Sequence, residues 1–114
     1  MTFKTLNEFN KDLKRLLKKY RTLESDLADI RKVLSIRPEA SPPFSYIIND
    51  LGLPINFMKV RKIASDSFKG KGNNSGFRLI YTHSKNLNQI TFVELYHKGI
   101  KENEDRERIF KYFL

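Results

Sequence analysis

The sequence predicts an α+β domain in which an N-terminal helical hairpin packs on a small, mainly antiparallel, twisted β-sheet, followed by a short C-terminal helix. Three patterns carry this prediction. Apolar residues recur every three or four positions over about 4–35, and they alternate with polar ones within about 56–98. Between these regions, residues 36–55 hold all four Pro of the chain, which prevents a long regular element. A chain of 114 residues has the size of one domain, so we assign 1–114 to a single unit.

The N-terminal region has the periodicity of two amphipathic helices. The first apolar stripe comprises Leu6, Phe9, Leu13, Leu16, Leu17 and Tyr20. After a break at Tyr20-Arg21-Thr22, the second stripe comprises Leu23, Leu27, Ile30, Val33 and Leu34. Two helices packed as a hairpin bury both stripes together. The opposite face of the first helix is basic, and it is ordinarily a solvated surface, with RNA phosphates or an acidic partner peptide as the alternative.

The connection over about 36–55 is predicted to be extended, with its apolar residues Phe44, Tyr46, Ile47, Ile48 and Leu51 partly tucked onto the core. The sheet over about 56–98 is predicted from three alternating runs, FMKVRKIA, FRLIYTH and ITFVELYHK. The last two runs flank the turn SKNLNQ and form an antiparallel hairpin, whereas SDSFKGKGNNSG is a loop. The helix over about 103–114 is predicted to have Asn103 as its N-cap and Ile109, Phe110 and Phe113 on its buried side.

Charge and composition limit the functions that this chain can have. The net charge is +9, and the basic excess is concentrated in residues 4–21 and 57–81, which suits a polyanionic partner better than an evenly basic surface does. The chain has no Cys, so disulfides, thiolate metal sites and a Cys nucleophile are excluded. The two His lack metal-ligand spacing, and we expect neither a metal nor a cofactor. No apolar run has the length of a membrane span or a signal peptide, so we expect a cytoplasmic protein without a membrane partner.

Four segments of the chain, taken in order, resemble the RelE/ParE toxins of type II toxin-antitoxin systems. They are Lys59-Val60-Arg61, the loop Gly70 to Gly76, Phe77-Arg78-Leu79-Ile80-Tyr81, and Tyr96-His97-Lys98. The loop is similar to that of the HigB/RelE-like branch, which reads Gly-Lys-Gly-Lys-Ser-Gly-Gly. Here Asn73 stands where that pattern has Lys, and Asn74 is an insertion. RelE also carries a Tyr a few residues past the last strand, and this chain has none near Glu104.

The resemblance implies an mRNA interferase, which is an endoribonuclease that inhibits translation. RelE-like members cleave mRNA on the ribosome. The implied partners are mRNA, the ribosome and a cognate antitoxin from an adjacent gene. The ribose 2′-OH attacks the neighbouring phosphate without a metal, and this chemistry requires charge stabilisation and two proton transfers. Two alternatives stay open: a ParE-like toxin that inhibits a protein target such as DNA gyrase without cleaving RNA, and a catalytically silent protein that binds RNA or the antitoxin.

Four cations are the candidate site residues that the resemblance supplies. Arg78 is expected to stabilise the transition state, because its planar guanidinium can hold two phosphate oxygens. Lys59 and Arg61 project from one face of a strand toward phosphates, and Lys98 has a phosphate or leaving-group role. The competing interpretation for each is a solvated surface cation.

The group that transfers the proton is less defined. His97 is chemically suited, since imidazole titrates near pH ~6.5, but strand alternation directs it away from Lys98 and toward the core. His83, Tyr81 and Tyr96 are further possibilities, with core packing the favoured interpretation of Tyr81. The predicted RNA-contacting residues are Lys62, Lys69, Lys71, Phe68 and Phe77. Phe68 is the better candidate for base stacking, and core packing is the favoured interpretation of Phe77.

Overall fold

The computed structural model describes all residues, 1–114, and confirms the predicted α+β class. Its elements are β1 (Thr2–Thr5), α1 (Asn7–Leu17), α2 (Leu23–Ile36), β2 (Ser45–Ile47), β3 (Phe57–Val60), β4 (Phe77–Ser84), β5 (Gln89–His97) and α3 (Arg106–Phe113). The five strands form one mixed sheet in the order β1-β5-β4-β3-β2. Only the β1–β5 pair is parallel.

The β4–β5 hairpin forms as predicted, and its register brings the start of β4 against the end of β5. Phe77 lies opposite His97, and Arg78 lies opposite Tyr96. β3 pairs antiparallel with β4 and places Lys59 opposite Ile80. The first of the three predicted runs forms a shorter strand than expected, because β3 ends at Val60. The Arg61 N–H donates to the Phe44 carbonyl at 2.9 Å.

Two short strands at the sheet edges correct the sequence prediction. The helical hairpin was expected from about residue 4, but Thr2–Thr5 is a strand parallel to β5, and α1 begins at Asn7. The Phe3 ring packs 5.8 Å from the Phe92 ring, which ties this strand to the core. In the connection, Ser45–Ile47 pairs with β3 as an edge strand.

The sheet buries a hydrophobic cluster on each face. α1 and α2 cover the larger cluster, which contains the predicted stripe residues Phe9, Leu16, Tyr20, Leu23, Leu27, Ile30 and Leu34. The smaller cluster, on the α3 face, is formed by Ile48, Phe57, Ile80, Val93, Tyr96 and Ile109. Each fully buried large apolar side chain contributes about 1.5–3 kcal/mol to folding. The two clusters hold the strands whose ends form the site.

The C-terminal helix starts later than predicted. The Asp105 carboxylate accepts the Arg108 N–H at 3.1 Å, so Asp105, and not Asn103, is the N-cap of α3. Ile109 is buried as expected, and the Phe113 ring meets Phe57 at 4.9 Å. The helix therefore closes the smaller cluster. None of the helices combines the length and the apolar character needed to cross a bilayer.

Candidate functional site

A pocket of about 370 Å³ lies where β3 ends and β4 begins. Its lining comprises Arg61, Lys62, Arg78 and Lys98 together with Pro43, Tyr46, Asn74 and Gly76. We call this the cationic pocket. It has four basic side chains and no acidic one. None of these four cations forms a salt bridge within 4.0 Å, although eight other basic residues of the chain do.

Arg78 is the best anchored of the four cations. One terminal nitrogen donates to the carbonyl oxygens of Arg61 and Phe77, both at 3.2 Å. Its other guanidinium N–H groups make no hydrogen bond within the protein. Burial lowers the pKa of Arg78, and the nearby charge of Arg61 lowers it further, partly offset by Tyr96. An anion bound in the pocket opposes both causes of the lowered pKa. It replaces the lost hydration of the Arg78 guanidinium and offsets the repulsion between Arg78 and Arg61.

Gly76 shapes the floor of the pocket. Its φ of 94° lies in the region that favours glycine. A Cβ at this position lies 2.6 Å from His97 Nε2 and 3.3 Å from Lys98 Cγ, so a side chain here displaces both neighbours. The Gly76 carbonyl accepts the Lys98 N–H at 2.9 Å, which holds Lys98 at the end of β5. Across the pocket, Lys62 Nζ donates to Asn74 Oδ1 at 3.0 Å, so the inserted Asn74 orients a cation.

Lys59, which was predicted to act together with Arg61, does not line the cationic pocket. Its Nζ lies 2.7 Å from Glu104 Oε1, and Glu104 also accepts from Arg106 at 3.0 Å. Burial alone raises the pKa of Glu104, but the hydrogen bonds from Lys59, from the backbone and from Arg106 bring it below its usual value. Lys59 is therefore neutralised in an adjoining groove, which Tyr46 and Arg61 also line.

His97 faces away from the cationic pocket, as strand alternation predicts, and it is not an available proton acceptor. Its Nε2 lies 2.8 Å from the Ser75 carbonyl, which can only accept, and its Nδ1 accepts the Gly99 N–H at 3.0 Å. These two bonds fix the neutral Nε2–H tautomer. The ring also stacks on Phe68 at 5.2 Å. Both ring nitrogens of His97 are therefore engaged within the protein, which favours a structural role over the predicted catalytic one.

Phe68 and Phe77 belong to the same aromatic cluster, and neither is free to stack on a base. Phe77 is fully buried, and its ring meets Tyr20, Phe68 and His97 edge-on at 5.0–5.5 Å. Phe68 is half-buried and lies nearly parallel to Tyr20 and His97. The sequence placed Phe68 in a polar loop, but folding returns its ring to the core. Lys69 and Lys71 are exposed in this loop and do not line the cationic pocket.

The remaining proton-transfer candidates lie outside the cationic pocket. His83 Nδ1 meets Glu39 Oε1 at 2.6 Å near the far end of β4. Tyr81 donates to the Pro38 carbonyl at 3.0 Å, and burial raises its pKa to about 12. The Tyr96 hydroxyl is buried without a hydrogen-bond partner, and burial, followed by Glu104 and Glu94, raises its pKa. Both phenols are core groups that stay protonated. No three His or acidic side chains come together to hold a metal ion.

Sequence reasoning missed Tyr46 as a site residue. It was expected to tuck onto the core, but it lines the cationic pocket and the adjoining groove. The only available signal was the alternation in Ser45-Tyr46-Ile47, which is too short to define a strand. Of the ten predicted site residues, the structure brings together Arg61, Lys62, Arg78 and Lys98.

Comparison with known proteins supports the fold. No protein-family model matches the chain, and no curated protein matches it. The solution structure of a conserved hypothetical protein, HP0892 from Helicobacter pylori, is similar to this chain with a TM-score of 0.60. The two share 23% sequence identity over 87% of this chain and 96% of that one. The fold and the site together define a small α+β protein with a pocket lined by four basic side chains.

Proposed function

We propose that this protein is the toxin of a type II toxin-antitoxin system, an mRNA interferase of the RelE/HigB-like branch of the RelE/ParE superfamily. The observation that carries the proposal is the cationic pocket, where four unpaired cations converge without an acidic neighbour. Such a cluster suits a phosphodiester, whose charge it neutralises at several oxygens. The element order and the resemblance of the strand sequences support the same assignment.

In the proposed reaction the scissile phosphate lies in the cationic pocket. The 2′-oxygen attacks phosphorus, the bond to the 5′-oxygen breaks, and the products are a 2′,3′-cyclic phosphate and a 5′-hydroxyl. Arg78 and Arg61 hold the non-bridging oxygens and stabilise the charge that grows on them in the transition state. Lys98 donates a proton to the departing 5′-oxygen, and Lys62 binds the neighbouring part of the backbone.

The 2′-proton passes to solvent water, because no side chain that lines the cationic pocket is suited to accept it. No carboxylate or imidazole lines it, and His97 is held by the backbone. A pocket without a base favours slow turnover by the isolated chain. The proposal therefore includes the ribosome as the partner on which mRNA is presented and cleaved. A cognate antitoxin from an adjacent gene completes the proposed partners, and the proposed location is the cytoplasm.

Induction of the chain without its partner tests the proposal. We expect growth arrest together with new mRNA 5′ ends, and we expect Arg78→Ala to abolish both. Lys85→Ala is the matched control, because Lys85 is an exposed cation in the β4–β5 turn, outside the cationic pocket. If Arg78→Ala, shown to be folded by circular dichroism, still arrests growth and still generates the same mRNA ends, the site assignment is wrong.

A second candidate function is binding without cleavage, as in a ParE-like inhibitor of a protein target. The observation that favours it is the lack of a proton acceptor in the cationic pocket. The same induction experiment separates the two. Growth arrest with DNA damage and with no new mRNA ends supports the ParE-like alternative and contradicts the interferase.

A further inference from the structure

Tyr46 is the only aromatic residue that lines the cationic pocket. It is the middle residue of β2, which is the edge strand of the sheet, and it also lines the adjoining groove. The residue remains 38% exposed. An exposed ring at the rim of an anion pocket presents an apolar π surface to whatever the pocket binds.

The Tyr46 ring is held next to the cations that face the ligand. The Arg61 guanidinium carbon lies 5.5 Å from the ring centroid, within the range of a cation–π contact. Arg61 itself faces the cationic pocket. A ligand with an anionic part and a planar part separated by a short linker can therefore engage Arg61 and Tyr46 at the same time.

The other aromatic residues near the pocket are committed to the core. Phe77 and Tyr96 are buried, and Phe68 lies against Tyr20 and His97. Any stacking contact with a ligand in the cationic pocket consequently falls to Tyr46. The adjoining groove, which continues beyond this ring, is lined by basic, acidic and amide side chains that donate or accept hydrogen bonds, including Lys59, Asn103 and Glu104. That composition suits the polar edge of a nucleobase.

We propose that Tyr46 is a stacking platform for an unpaired base of single-stranded RNA whose phosphate lies in the cationic pocket. This inference rests on the proposed function and specifies the substrate as single-stranded, because a base inside a duplex is already stacked on its neighbours. Stacking does not need a particular base, since every base has a π face. Any preference among bases comes from the polar groove beyond the ring.

Equilibrium binding of two fluorescent oligonucleotides tests the proposal. One is a single-stranded RNA of about eight nucleotides that carries 2′-O-methyl groups, so that it cannot be cleaved. The other has the same backbone with the bases removed. We expect Tyr46→Ala to weaken binding of the intact strand about 5- to 100-fold and to leave binding of the abasic strand unchanged. Tyr46→Leu gives the same loss, because it keeps apolar bulk without a π face, whereas Tyr46→Phe keeps the parent affinity.

Tyr112→Ala is the matched control. Tyr112 is 41% exposed, and Lys111 Nζ lies 5.3 Å from its ring centroid, so it reproduces the exposure and the cationic neighbour of Tyr46. It lies on α3 and does not line the cationic pocket. We expect the Tyr112→Ala variant to bind both oligonucleotides with the parent affinity. That result shows that the loss of any solvent-exposed tyrosine does not by itself weaken RNA binding.

The outcomes separate this inference from the proposed function. Parent affinity of Tyr46→Ala for the intact strand overturns the stacking role, and so does an equal loss for the intact and the abasic strand. The Arg78→Ala variant is measured in parallel, and we expect it to bind both oligonucleotides more weakly than the parent does. If Arg78→Ala binds both strands like the parent, the phosphate site fails, and the proposed function fails with it, whatever the Tyr46 variants show.

Discussion

The protein has two groups of basic residues, and they differ in whether an acidic side chain neutralises them. The cationic pocket holds Arg61, Lys62, Arg78 and Lys98 without an ion pair. The second group, which we call the paired cluster, contains Lys59 with Glu104, Lys101 with Glu94, and Arg108 with Glu8 and Asp12. The residue types are the same, so the difference between a binding surface and a structural contact lies in the pairing.

Arg108 shows what the paired cluster does. Its side chain is 10% exposed, and its terminal nitrogens meet the two Asp12 carboxylate oxygens at 2.6 and 3.2 Å. It also donates to the Val93 carbonyl at 2.9 Å. Burial alone lowers the pKa of Arg108, but Asp12, Glu94 and Glu8 raise it above its ordinary value. These contacts join α1, β5 and α3.

Burial determines whether a basic side chain requires an acidic neighbour. A cation that is buried needs an acid beside it, because the desolvation of an unpaired charge costs several kcal/mol. A cation that stays hydrated at a pocket rim can remain unpaired and is then free to bind an anion. Net charge cannot separate the two cases, since it adds both groups together.

The largest expected effect is on stability, in the paired cluster. Arg108→Ala leaves the Asp12 carboxylate buried without its main partner, so we expect a loss of about 3–5 kcal/mol in the free energy of unfolding. Urea denaturation measures it. Arg106→Ala, which removes an exposed cation of the same helix, is expected to cost less than about 1 kcal/mol. Equal losses for the two variants contradict the distinction between buried and exposed pairs.

The second expected effect is on RNA affinity, in the cationic pocket. Arg78→Ala removes charge-assisted hydrogen bonds worth about 1.5–3 kcal/mol, so we expect RNA binding to weaken roughly 10- to 150-fold. The unfolding free energy should change by no more than about 0.5 kcal/mol, because removing Arg78 leaves no acidic side chain without its partner. Fluorescence anisotropy and urea denaturation provide the two measurements. A large stability loss with little change in affinity reverses the roles assigned to the two groups.

The salt dependence of RNA binding also distinguishes the two groups of cations. Each phosphate that the protein neutralises on a single strand contributes about −0.7 to the slope of log affinity against log salt. We expect Arg78→Ala to reduce the steepness of this slope by about 0.7 to 1. Lys111→Ala, in the ion-paired region, should leave the slope unchanged, because Lys111 already has Glu8 as its counterion. An equal change in slope for both variants argues against a localised site.

The smallest expected effect is the acid sensitivity that Glu104 contributes. Its pKa is lowered in the folded state, so its stabilising contribution is complete above the ordinary glutamate pKa near ~4.3. This contribution is lost as the pH falls through the lowered folded value. We expect Glu104→Gln to be slightly less stable than the parent at neutral pH and to lose less stability in the acid range. Parallel acid denaturation curves for parent and variant contradict the Lys59–Glu104 pairing.

Local sequence patterns predicted much of the fold. The β4–β5 hairpin, the break between α1 and α2 and the opposite orientations of His97 and Lys98 follow from short-range periodicity and turn chemistry. The strands β1 and β2 were missed, since they have four and three residues and are defined by partners distant in the chain. The buried ring of Phe68 was missed for the same reason, because its neighbours Tyr20 and His97 come from other parts of the sequence.

The fold class, the absence of thiol chemistry and the supply of basic residues on the central strands follow from the amino-acid sequence alone. Which of these cations are free depends on tertiary contacts. The tertiary structure brings Glu104 against Lys59, leaves Arg61, Lys62, Arg78 and Lys98 without an acid, and places Tyr46 beside them. The physical reason is that neutralisation depends on separations of a few ångströms between charged groups. Those separations are set by how the C-terminal segment, the loop before β4 and the edge strand meet at one end of the sheet.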